Sequence, residues 1–82
     1  MKNEHKDPQY LKWQGDKFKE LRTHHDFKQS YIAAKIKVKA KTYESYEEKR
    51  ATAPAKVWAN LARLYNTTVD KLMEGMPGTV LS

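Results

Sequence analysis

Four lysines alternate with Ile36, Val38 and Ala40 across residues 35–41. Ammonium groups at that density suit a polyanionic partner. The whole chain leans the same way, with sixteen Lys and Arg against ten Asp and Glu for a formal charge of +6. Charge alone does not separate a polyanion binder from a merely basic domain. Other chemistries find little support. His5, His24 and His25 are the only imidazoles, and adjacent histidines on a helix point about 100° apart, so His24 and His25 are poor joint ligands for one metal. They are read as a solvent-facing pair near a helix end, close to a phosphate partner. There is no cysteine, hence no disulfide and no Cys-type zinc site. Ser30, Ser45 and Ser82 lack a histidine and carboxylate at recognisable spacing, and no glycine-rich phosphate loop exists. No metal, cofactor or catalytic residue is expected, and the chain is not read as an enzyme.

What must position the lysines is the next question, because their alternation has the period of a half-exposed strand. A strand there would have no second β-branched run to pair with, and its backbone groups would go unsatisfied. A wider window changes the period. Phe27, Tyr31, Ile32 and Ile36 recur at helical spacing, while Val38, Thr42, Tyr43 and Tyr46 make a second stripe of different phase. Two short helices broken near Lys37 account for both.

The rest of the chain is also helical in pattern. Residues 1–9 are polar and expected to be flexible, residues 10–75 form one domain, and 76–82 make a tail with a Pro77-Gly78 turn. Leu11, Phe18 and Leu21, widened by Tyr10 and Trp13, mark a first helix over 10–25. Gly15 disfavours a helix by roughly 1 kcal/mol, so the regular helix is expected to begin near it. Asp26 suits a left-handed break. Val57, Trp58, Leu61, Leu64 and Tyr65 mark a fourth helix with Pro54 in its first turn. Thr67 or Thr68 caps a fifth short helix carrying Val69, Leu72 and Met73, and Gly75 stops it. No apolar run approaches the ~20 residues of a membrane span, and the first residues lack the apolar core of a signal peptide. A cytoplasmic protein without a membrane partner is expected. Lysine-rich helices can lie on anionic membranes, but these apolar stripes suit one another better.

In order and spacing these pieces resemble the helix-turn-helix of the Cro and phage-repressor type, the XRE family, over roughly residues 15–75. The resemblance is carried by Leu21-Arg22, Gln29, Ala33, Val38, Glu47, a proline after a short basic loop, and the closing "leucine, aromatic, small polar, Val, Asp, x, Leu". It implies an all-α, five-helix lambda-repressor-like bundle with the helix-turn-helix at about 28–47. Ala33 would sit where two helices cross closely. Val38 and Tyr43 would plug the angle between the second and third helices, freeing the outer face of the third for a major groove. By resemblance Ala40, Lys41 and Ser45 lie where relatives touch base edges, with Glu44 on the same face. Lys41 would donate to guanine O6 and N7, Ala40 would pack on a thymine methyl, and Glu44 would accept from cytosine N4 or repel phosphates. Gln29, Lys39, Lys28 and Tyr43 make the phosphate set. Arg22 and Glu47 match a structural ion pair tying the first helix to the end of the third; a phosphate contact is the competing role for Arg22.

The chain departs from the family pattern in several places. Lys37 and Lys49 replace glycines, Lys28 replaces a Ser or Thr cap, and Tyr43 and Tyr46 replace aliphatic plugs. Helix three is then expected to tilt, or one phenol to reach a phosphate. The implied function is a sequence-specific, double-stranded-DNA-binding transcriptional regulator, a repressor or Cro-like switch, binding a two-fold operator as a homodimer and joining the nucleoid when bound. Its dimer surface is expected around the fourth and fifth helices and the tail, where Trp58 and Leu72 serve either the interface or the core. The rival from another class is an antitoxin-like module that binds a protein partner, a toxin or competing regulator, with DNA binding secondary.

Overall fold

A computed structural model of the chain describes residues 7–77. All regular structure among them is helical: α1 (Pro8–His24), α2 (Gln29–Lys35), α3 (Ala40–Glu47), α4 (Ala55–Leu64) and α5 (Val69–Leu72). The alternating lysines therefore span the end of α2, a turn and the head of α3, and form no strand.

α1 begins earlier than its glycine suggests. The Asp7 carboxylate accepts from the Gln9 N–H at 3.0 Å, and Pro8 takes the first helical position, where its missing N–H costs nothing. Gly15 does not delay the helix because it lies in the contact with α3. A Cβ there would stand 2.7 Å from the Glu47 carbonyl oxygen and 2.8 Å from Lys49 Cγ. Only glycine allows that approach. Pro54 likewise shifts by one position: it is the N-cap of α4, not part of its first turn.

Four helices end in the same way. Asp26, Lys37, Lys49 and Asn66 have φ of 60°, 62°, 65° and 56°. In each case the next residue's N–H reaches back five residues to a helix carbonyl: Phe27 to Arg22, Val38 to Ala33, Arg50 to Ser45 and Thr67 to Ala62, at 2.8–3.0 Å. This is the Schellman closure, which satisfies carbonyls that the helix itself leaves open. Asp and Asn tolerate the left-handed conformation; lysine does so at a cost. Replacing Lys37 with glycine is expected to raise the unfolding free energy by about 1 kcal/mol, measured by urea denaturation.

The core gathers around Phe18. Its ring stacks on Tyr43 with centroids 6.0 Å apart, and meets Tyr46 and Trp58 edge-on at 6.1 and 4.9 Å. Ile32, Ala33, Ile36, Leu61 and Leu72 fill the space between. Trp58 and Leu72 are thus core residues, and Trp58 also stacks on Trp13 at 5.5 Å. The expected tail contacts beyond Pro77 lie outside the described residues. No helix among those described is long and apolar enough to cross a membrane.

Candidate nucleic-acid interface

The sequence of α3 divides into two faces. Tyr43, Tyr46 and Glu47 fall at i, i+3 and i+4 and are buried against α1 and α2. Lys41, Glu44 and Ser45 project from the other side, with Ala40 at the start of the helix. Ala40 and Lys41 are exposed, while Glu44 and Ser45 are half-buried. The Ser45 hydroxyl donates to the Thr42 carbonyl at 2.6 Å, so toward any ligand it can serve as an acceptor.

Lysines stand at the start of both motif helices. Lys28 is the N-cap of α2 and Lys39 that of α3, and neither helix has a side-chain cap. Both lysines are exposed. At the head of α3 the positive charge of Lys39 adds to that of uncapped N–H groups, a setting that favours anions.

Under this face lies a hydrogen-bonded hub on Glu47. Its carboxylate accepts from Arg22 Nε at 2.6 Å and Nη2 at 3.1 Å, from Gln29 Nε2 at 3.0 Å and from the Tyr43 hydroxyl at 2.6 Å. Arg22 Nη1 also donates to the Phe27 carbonyl at 3.0 Å. The Glu47 side chain is only 4% exposed and that of Arg22 is 16% exposed. Burial pushes the Glu47 carboxyl up, but the bonds from Arg22, Tyr43 and Gln29 together outweigh it and hold the group below its ordinary range. Arg22 is therefore engaged within the fold, which leaves the competing phosphate role without a free guanidinium. Nearby, burial and then the charge of Glu47 push the Tyr65 phenol up to about 12.

The hub corrects one member of the phosphate set. Tyr43 has no exposed surface, because Phe18 covers its ring and Glu47 holds its hydroxyl. It cannot meet a phosphate. Tyr46 is also largely buried, with its ring edge-on to Phe18. Gln29 is half-buried, and its amide retains one N–H beyond the bond to Glu47.

Two further residues hold the end of α3 and were missed in the sequence reading. Gln14 is fully buried; its Nε2 donates to the Ala51 carbonyl at 2.9 Å and its Oε1 accepts from the Ala53 N–H at 2.9 Å. Together with Gly15 it fixes the 48–54 loop against α1. The signal was present, since Leu11, Gln14, Gly15 and Phe18 fall at i, i+3, i+4 and i+7 and share the buried face. The loop's own cations, Lys49 and Arg50, pair with Asp16 and Glu48 at 3.1 and 2.9 Å.

His24 and His25 are both exposed at the end of α1. His24 and His25 meet edge-on, and the His25 ring lies 4.8 Å from Tyr65 with its Nδ1 2.9 Å from the Leu21 carbonyl oxygen. Among the described residues no group of three or more His, Cys, Asp or Glu is placed to hold a metal ion.

Comparison with protein families finds one model, described as helix-turn-helix, matching residues 18–72. That span runs from the core ring of α1 through the last residue of α5. Comparison with curated proteins finds no match, and neither does comparison with solved structures.

Proposed function

The chain belongs to the helix-turn-helix family of Cro and phage-repressor type, a family of DNA-binding regulators, and from that premise we propose a specific role for it. It acts as a transcriptional repressor or Cro-like switch that places α3 in the major groove of a two-fold operator as a homodimer. The observation that carries this reading is the division of α3, with one face locked into the core and the other left outward with Ala40, Lys41, Glu44 and Ser45. Lys41 donates to guanine, Ala40 meets a thymine methyl, and Ser45 and Glu44 accept from base amino groups. Lys39, Lys28 and the free amide N–H of Gln29 hold the flanking phosphates. The reading unit is the 10–75 domain, and its place in the cell is the nucleoid.

The burial of Trp58 and Leu72 moves the proposed dimer contact to their neighbours. An apolar groove of about 440 Å³ beside them is lined by Tyr10, Ala53, Ala55, Trp58, Ala59, Val69 and Met73. Half-sites are then expected about one helical turn apart, ~10 to 11 bp.

Selection of bound sequences from random DNA tests the role, since it reports binding, symmetry and spacing together. With a selected duplex, the log-log salt slope should be steep and negative and should flatten by about one unit for Lys39→Ala. Lys41→Ala should instead relax preference at one base position, at about 1–3 kcal/mol. Equal effects of the two substitutions on sequence preference would sink the base-reading assignment. Absence of duplex binding at low salt would sink the function itself.

A further inference from the structure

The C-terminal ends of α2 and α4 converge on a cleft of about 200 Å³ lined by Lys35, Lys37, Asn60, Arg63 and Leu64. Asn60 ties its walls together: the amide donates to the Ile36 carbonyl at 3.4 Å, and its oxygen lies 3.5 Å from Arg63 Nη1. The three cations are exposed. Two helix C-termini supply about half a negative charge each, against three full positive charges. The cleft stays net cationic.

Four of the described cations are held by carboxylates within the fold. Lys12 and Lys49 share Asp16, Arg22 holds Glu47, and Arg50 holds Glu48. Lys35, Lys37 and Arg63 take part in no ion pair among the described residues, as is also true of Lys28, Lys39 and Lys41; what distinguishes the three is that they line one concavity. Lys37 is the telling member. Both it and Lys49 adopt a left-handed conformation that glycine would hold without strain. The strained Lys49 uses its ammonium on Asp16, whereas that of Lys37 pairs with no carboxylate among the described residues.

Shape and apolar surface narrow the ligand. Leu64 is half-buried at the cleft, and Tyr31, one turn before Lys35 on α2, is 42% exposed with Lys35 Nζ 5.4 Å from its ring centroid. A concavity of this size admits one or two side chains, while a duplex is convex and stiff. In a helix-turn-helix the first helix crosses the DNA backbone, and of the proposed phosphate contacts Lys28 and Gln29 stand at the start of α2 and Lys39 at the start of α3. The cleft stands at the other end of α2, about 10 Å along the axis from Lys28 and Gln29, and is roofed by α4 through Asn60, Arg63 and Leu64. We propose that it is a docking site for an acidic segment of a partner protein, one that carries an apolar residue between carboxylates.

The test is fluorescence anisotropy of the full chain with a fluorescein-labelled peptide, Glu-Glu-Leu-Glu-Glu, at low salt. Lys37→Gly and Arg63→Ala should each weaken peptide binding about threefold, and together about tenfold. Lys28→Ala and Lys41→Ala should leave it unchanged. Because Lys37→Gly relieves backbone strain, its loss of binding cannot be a loss of folding. Equal weakening by Lys41→Ala would reduce the effect to diffuse charge attraction and overturn the proposal, as would no peptide binding at all. The cleft would be reassigned to DNA if the double variant left the peptide untouched but weakened duplex binding and flattened its salt slope.

Discussion

Replacing Glu47 with alanine is expected to lower the unfolding free energy by about 3 kcal/mol or more. The carboxylate is the acceptor for Arg22, Gln29 and Tyr43 at once. Its removal leaves a largely buried guanidinium and a buried phenol without their partner, and that desolvation is not recovered. The substitution should also change the response to acid. The folded carboxyl sits below the ordinary glutamate range, so on acidification the unfolded chain takes up this proton first. The stabilisation is full above the ordinary range and disappears as pH falls through the lowered folded value. Urea denaturation from neutral pH downward should therefore show the wild-type advantage over Glu47→Ala shrinking through that window. A difference that stays constant with pH would show that the carboxylate's charge is not what stabilises the site. The same hub holds Gln29 at the start of α2, so the variant should also bind a selected duplex more weakly where it remains folded.

Gln14→Leu is expected to cost about 2–4 kcal/mol, although leucine is similar in volume and more apolar. The Ala53 N–H and the Ala51 carbonyl lose the side-chain partner that holds them to α1. Each such buried group costs about 1–3 kcal/mol when left unpaired. The effect should be local as well as global: exchange of the Ala53 amide hydrogen should become fast before the rest of the core opens. If the variant is as stable as wild type with Ala53 still protected, the loop is held by something other than Gln14. Duplex affinity should fall with it, because the 48–54 loop carries α3 into α4 and sets how the outer face is presented.

Much of this arrangement was legible along the chain. Stripes at helical spacing place Phe18, Ile32, Ile36, Val57 and Leu61 inward, and the change of phase near Lys37 separates α2 from α3. Asp26 announced its left-handed turn, and Lys37 and Lys49 could be marked as residues standing where glycine is easier. The outward position of Lys41 follows from the same phase that buries Tyr43 and Tyr46. Periodicity is a property of one helix, and the stripes need nothing else; the marking of Lys37 and Lys49 comes from the family resemblance.

The remaining features needed the partners of each helix. Tyr43 and Gln14 are polar enough to be surface residues, and only the arrival of Glu47 beside one and of the 51–53 backbone beside the other lets both be buried. Trp58 is core because Trp13 and Phe18 close over it. Lys35 and Lys37 join Arg63 only because α4 packs across the end of α2. Local sequence determines the phase of each stripe through helix geometry. Which distant donor, acceptor or charge then faces a given side chain is decided by how the helices cross, and that depends on the packing of the whole core.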